Sequence, residues 1–121
     1  MKSLKVLIAD DDNVTRHLLR SIFLQSELEV VGEATNGEDA VAYCRSMQPN
    51  VLLLDLNMPR MNGFEVLQTI RLNHPKLAVI MISSDATLSN VEKARKFGVD
   101  NFIVKPFTAA RVLDAITRSL K

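Results

Sequence analysis

Short apolar runs alternate along the chain with stretches whose apolar positions recur every three or four residues. Val6-Leu7-Ile8-Ala9, Val30-Val31-Gly32, Val51-Leu52-Leu53-Leu54, Ala78-Val79-Ile80-Met81-Ile82 and Phe102-Ile103-Val104 are too short for stable helices. The first, third and fourth predict strands buried on both faces, as parallel sheets require, Val30-Val31-Gly32 a shorter strand and Phe102-Ile103-Val104 a fifth. Between them lie amphipathic segments with recognisable starts. Asn13 is a candidate cap for the first helix, whose Val14, Leu18 and Ile22, with Leu19 and Phe23 beside them, form one stripe; Arg16 and Arg20 lie off it. Asn36 caps a second, with Glu38 and Asp39 in the first turn, where the helix dipole favours acids, and Ala40, Val41, Cys44 and Met47 inward. Asn62-Gly63 opens a third, with Phe64, Leu67 and Ile70 inward and a stop near Asn73 set by Pro75. A fourth runs from about Ser89 to Phe97 with Gly98 as its stop, and its thin stripe of Leu88, Val91 and Ala94 predicts the least firmly packed helix. Thr108 caps a last helix that presents Ala109, Val112, Leu113, Ile116 and Leu120.

Strands alternating with helices at short connections imply the α/β class, a doubly wound domain with a parallel sheet covered on both faces by right-handed crossovers. The pattern leaves the strand order open; the flavodoxin-like 2-1-3-4-5 order is one of two common solutions. A length of 121 residues predicts one domain over 1–121, able to bury roughly two thirds of its unfolded surface. Hydrophobic content of 47% and charged content of 24% are those of an ordinary globule, and a net charge of +1 gives no bulk attraction for nucleic acid. The single cysteine, Cys44, cannot close an internal disulfide and sits at core spacing. No signal peptide, membrane span, linker or repeat is readable, so direct contact with nucleic acid or membrane is not expected.

The chemistry lies at the strand ends. Asp10-Asp11-Asp12 follows the first strand, Asp55 ends the third, Ser83-Ser84-Asp85 follows the fourth and Lys105-Pro106 the fifth. In a parallel sheet these ends point the same way, at the edge where open α/β folds bind ligands. Asp10, Asp11, Asp55, Ser83 and Lys105 therefore converge if the first and third strands are neighbours and the fourth and fifth flank them. Carboxylates that share a small site require a proton or a cation. An all-oxygen donor set selects a hard cation, and Mg²⁺ fits best because it takes one or two carboxylates and completes its shell with water and phosphate oxygens. Asp55 beside such an ion is a competent nucleophile for phosphoryl transfer, with Lys105 and Ser83 as donors to phosphoryl oxygens.

Four motifs at these positions, Ile8-Ala9-Asp10-Asp11, Leu54-Asp55-Leu56-Asn57-Met58-Pro59 with Met61-Asn62-Gly63, Ile82-Ser83-Ser84 and Val104-Lys105-Pro106-Phe107, resemble those of the receiver domains of bacterial two-component response regulators. The resemblance spans essentially the whole chain. It implies the 2-1-3-4-5 order, and Asp55 as the acceptor of a phosphoryl group from a histidine kinase or histidine phosphotransfer protein. It further implies a Mg²⁺ site of Asp10, Asp11, Asp55 and Asn57, bound directly by Asp11, mainly through water by Asp10, and by the backbone carbonyl of Asn57. Lys105 would contact the phosphoryl group, and its bond to Pro106 is expected to be cis. Ser83 would swing inward to it, and Phe102 would follow from an exposed to a buried rotamer. Such a domain is a cytoplasmic switch that catalyses only its own phosphorylation and dephosphorylation. It signals to a downstream protein target, or to an effector domain missing here, as a monomer or a phosphorylation-dependent dimer. The output surface would be the fourth helix, fifth strand and fifth helix, which carries Lys93, Arg95, Lys96 and Arg111 and could meet an acidic partner.

Two positions tune phosphoryl lifetime in this family, and here they hold Asn57 and Asp85; polar groups at both imply a half-life well short of days. The competing readings fit less well. A Mg²⁺-dependent phosphatase with an aspartyl nucleophile typically places a second acid where Asn57 stands, and three acids occupy the place of a flavin carrier's phosphate loop. A degenerate receiver acting as a phosphorylation-independent binding module is the remaining alternative, against which the intact acids, hydroxyl and lysine argue. His17 and His74 are far in sequence from the acids and are not expected to carry phosphotransfer.

Overall fold

In the computed structural model, which describes residues 4–120, the alternation is realised as β1 (Lys5–Ala9), α1 (Asn13–Leu24), β2 (Glu29–Ala34), α2 (Gly37–Met47), β3 (Val51–Asp55), α3 (Gly63–Arg71), β4 (Ala78–Ser83), α4 (Leu88–Lys96), β5 (Asn101–Val104) and α5 (Ala109–Ser119). All strand pairs are parallel, in the order β2-β1-β3-β4-β5, the flavodoxin-like arrangement. β3 lies at the centre with every residue buried.

The period-two geometry of the strands divides the core into two layers. Leu7, Ala9, Leu52, Leu54, Val79 and Met81 point to one face and pack against Ala40 and Cys44 of α2, Phe64, Val66, Leu67 and Ile70 of α3, and Ala94 of α4. Val6, Ile8, Val51, Leu53, Ile80 and Ile103 point to the other, against Leu19 and Phe23 of α1 and Val112, Ala115 and Ile116 of α5. Asp10 and Asp55 continue the rows that face α1 and α5, Lys105 follows Ile103 on the same side, and Ser83 continues the Val79–Met81 row on the opposite side. Parity alone thus sets two acids and the ammonium together, with the hydroxyl approaching from the other face.

Three caps stand where the sequence predicts them. Asn36 accepts from the Asp39 amide, Thr108 from that of Arg111, and Asn62 forms a full capping box with Glu65. α1 differs. Asp12, not Asn13, is its cap, accepting from the Val14 amide, and the buried row is Thr15, Leu19 and Phe23. Val14 and Leu18 are 75% and 44% exposed. The apolar arc on this helix is wider than the sheet can cover, so the Val14–Leu18 edge turns to solvent. α4 likewise starts at Leu88, capped by Thr87; Leu88 is exposed and Ala94 is the one buried residue of the helix, as its thin stripe implies. At the end of α4, Gly98 has a φ of +96°, the left-handed conformation that glycine accepts without strain. On α5, Ala115 and Ser119 are buried where Ala109 and Leu120 were expected, because the helix is rotated toward the sheet by its Val112–Ile116 row.

Candidate phosphoryl-acceptor site

Register brings the acidic residues together. Ala9 of β1 pairs with Leu54 of β3, so the next residues, Asp10 and Asp55, emerge side by side at the carboxyl edge of the sheet. Asp55 is in turn paired with Ile82, and Ser83 with Val104, which sets the hydroxyl and Lys105 one step further along that edge. The Lys105 Nζ lies 3.0 Å from Asp10 Oδ2 and 3.7 Å from Asp55 Oδ1. Asp10 and Asp55 are buried, while Asp11 is exposed above them. One carboxylate oxygen from each of Asp10, Asp11 and Asp55 can be chosen so that all lie within 4.8 Å of one another, a spacing a small cation can span.

These contacts set the ionisation of Asp55. Burial pushes its carboxyl up from 3.8 to about 7, and the neighbouring Asp10 charge adds to the rise; Lys105 and the backbone N–H of Asn57 oppose it, and Asp11 raises it further. One ammonium shared between two buried acids does not balance them. The fit to a divalent cation rests on this deficit together with the all-oxygen donor set.

The local backbone explains how the acids are presented. The Asp12 amide donates to Asp10 Oδ1 at 2.8 Å, while the Asp12 carboxylate accepts from the Val14 amide and, at 2.7 Å, from the Thr15 hydroxyl. The Thr15 hydroxyl and then the Val14 amide hold the Asp12 carboxyl below its ordinary value. Asp12 is therefore committed to the helix start. Asn57 lies in the β3–α3 loop, exposed, and its N–H reaches the Asp55 carboxylate. Ser83 is fully buried; its Oγ accepts from the Asp85 amide at 3.0 Å. The Lys105–Pro106 bond is cis. Phe102 is half-buried against the α2–α3–α4 layer.

The basic residues on the α4–α5 side are less free than the sequence suggests. Lys93 sits 4.7 Å from the centre of the Phe64 ring, and Arg111 donates to the Phe102 carbonyl and the Asn101 side chain. Among the described residues, the side chains of Arg95 and Lys96 make no ion pair or hydrogen bond. His17 is exposed on α1, and Cys44 is buried, its thiol pushed up to about 12 by desolvation. Arg16 escaped sequence reasoning: it lies off the apolar stripe, yet its guanidinium reaches back to the carbonyl of Asp10. The only signal available was a long basic side chain on the helix turn that follows the acidic loop.

A parallel α/β sheet with acids and a lysine converging on its carboxyl edge, and no histidine or cysteine among them, belongs with the open α/β domains that carry their site at that edge. Residues 6–117 match the family model of the response regulator receiver domain, and the chain belongs to that family. It is 42% identical over 118 residues to the chemotaxis protein CheY of Listeria monocytogenes, covering 98% of this chain and 99% of that one, and 37% identical over 117 residues to CheY of Thermotoga maritima, covering 97% and 98%. Among solved structures, the CheX-CheY-BeF3-Mg²⁺ complex from Borrelia burgdorferi matches with a TM-score of 0.90 and 32% identity, over 94% of this chain and 87% of that one. The domain is thus a response regulator receiver of the CheY type, a component of two-component signalling. Among the described residues no helix is long and apolar enough to cross a membrane.

Proposed function

We propose that this domain is a cytoplasmic switch that accepts a phosphoryl group on Asp55 from a phosphohistidine of a histidine kinase or histidine phosphotransfer protein. The observation that carries the reading is the buried Asp55 carboxylate at the end of the central strand, beside Asp10 and within 3.7 Å of the Lys105 ammonium. An Asp55 oxygen attacks phosphorus, the P–N bond to the donor imidazole breaks as the P–O bond forms, and the leaving nitrogen takes up a proton. Asp10, Asp11, Asp55 and the carbonyl of Asn57 would hold Mg²⁺, which when bound neutralises charge on the acids and on the transferring phosphoryl oxygens.

Lys105 supplies the second positive charge, moving from the carboxylates to a phosphoryl oxygen. Ser83 exchanges its bond from the Asp85 amide for one donated to another phosphoryl oxygen. That contact exists only in the phosphorylated state, so it biases a two-state arrangement of the half-buried Phe102 and of the lightly packed α4. The α4–β5–α5 face would carry the output to a downstream protein or to a fused effector domain, with the domain acting as a monomer or dimerising once phosphorylated. The exposed Val14 and Leu18, in the first two turns of the helix that follows the acids, offer the donor protein an apolar foothold beside the site.

Lys105→Ala tests the assignment of charges. The rate of phosphorylation by phosphoramidate at saturating Mg²⁺ is expected to fall about 100-fold, with Asp55 still the residue modified. An unchanged rate would remove Lys105 from the reaction.

A further inference from the structure

The acidic loop depends on a residue outside it. Arg16, in the second turn of α1, folds back beneath residues 10–13: Nη1 donates to the Asp10 carbonyl at 2.9 Å, Nη2 to the Asn13 side-chain oxygen, and Nε to Glu33 Oε1 at 3.2 Å. Its side chain is 14% exposed, and the bonds to Asp10 and Glu33 are part-buried while the one to Asn13 faces solvent. Glu33, near the end of edge strand β2, also takes Arg20 on its other oxygen at 3.2 Å, which holds the acceptor in place. On the opposite side of the same residue, the Asp10 amide donates to the Ala34 carbonyl at 3.0 Å. The N–H of Asp10 is thus tied to β2 directly, and its C=O is tied to β2 through Arg16 and Glu33. The carbonyl that Arg16 grips belongs to the peptide joining Asp10 to Asp11, so its orientation fixes where the Asp11 carboxylate emerges.

We propose that Arg16 is a positioning residue: through the Asp10–Asp11 peptide it aims those two carboxylates at the point where Asp55 also converges. The inference rests on the metal-dependent phosphoacceptor reading above. Arg16 shares the Glu33 carboxylate with Arg20, and what it adds at the acidic loop is a directed fork of three donors, which a lysine cannot reproduce.

The test uses Arg16→Lys and Arg16→Gln in the full chain. Mg²⁺ dissociation constants are measured by calorimetry, alongside urea midpoints and phosphorylation by acetyl phosphate across a Mg²⁺ series. Both variants are expected to bind Mg²⁺ about tenfold more weakly, the usual effect of losing an outer-shell partner. Their phosphorylation should be slowed at low Mg²⁺ and restored at saturating Mg²⁺. Glu33→Gln should shift the dissociation constant in the same direction by less. A lowered urea midpoint with Mg²⁺ affinity within twofold of wild type would overturn the inference and reduce Arg16 to a stitch between α1 and β2. Arg16→Lys keeps the ion pair with Glu33, so a folded variant is available even if Arg16→Gln does not fold. Wild type that binds no Mg²⁺ and takes no phosphoryl group would instead overturn the phosphoacceptor reading, and this inference with it.

Discussion

In metal-free solution the stability of the wild-type domain relative to Asp55→Asn is expected to fall by about 2–4 kcal/mol as the pH rises from about 4 to about 7. The sign follows from the raised Asp55 carboxyl. In the folded chain it keeps its proton up to about 7, whereas in the unfolded chain it loses it near 3.8, so between these values the folded state binds more protons. Stability then decreases with rising pH, is undiminished below the unfolded value, and levels off above the folded one. Most domains behave in the opposite way over this range, because paired carboxylates usually titrate below their unfolded values. Comparing the two chains by urea unfolding at each pH removes the contribution of those other acids. Millimolar Mg²⁺ should restore the wild type at neutral pH and leave Asp55→Asn almost unchanged. A difference between the chains that is flat with pH would show that Lys105 already balances the acids.

Gly63→Ala should damage both stability and the site, although it adds one methyl group. A Cβ at Gly63 would stand 2.6 Å from the Asp55 carbonyl oxygen and 2.9 Å from the Leu56 Cα, both backbone atoms. The Gly63 amide also donates to the Leu56 carbonyl at 2.7 Å, which clamps the start of α3 against the end of β3. Neither side can yield without moving the backbone of Asp55, the proposed phosphoacceptor. A loss of about 2–3 kcal/mol in urea unfolding is expected, at the upper part of the range for overpacking. Phosphorylation by acetyl phosphate should slow at least about tenfold, because displacements under 1 Å already misalign a reacting group. Wild-type behaviour in both assays would mean that the β3–α3 junction is more compliant than its contacts indicate.

Much of this site was legible because a parallel sheet converts sequence position into spatial position. A carboxylate that ends a buried apolar run must emerge at the carboxyl edge, so Asp10, Asp55 and Lys105 could be assigned to one rim before any distance was known. Their adjacency was a different matter. It depends on β1 lying beside β3, which periodicity leaves open and which came from resemblance to a family. Errors arose where local rules offered two equivalent answers. Asp12 and Asn13 are equally good caps by residue type; in the structure the Asp12 carboxylate takes the Val14 amide, and the Asn13 oxygen is taken by Arg16. Val14 and Leu18 belong to an apolar arc that the sheet covers only in part. The Arg16–Glu33 pair and the stacking of Lys93 on Phe64 join residues far apart in sequence, so no window of neighbouring positions could reveal them. The same holds for the Asp55 ionisation, which is set by burial and by acids and a base from three different strand ends.

The most direct measurement is the intact mass of the protein after incubation with acetyl phosphate, with and without Mg²⁺, on the wild type and on Asp55→Asn. The predicted result is a gain of one phosphoryl group by the wild type in the presence of Mg²⁺, and none without Mg²⁺ or in the variant. A folded, Mg²⁺-supplied wild type that gains nothing, or a variant that gains as much as the wild type, would contradict the account and favour a domain that binds its partners without phosphorylation.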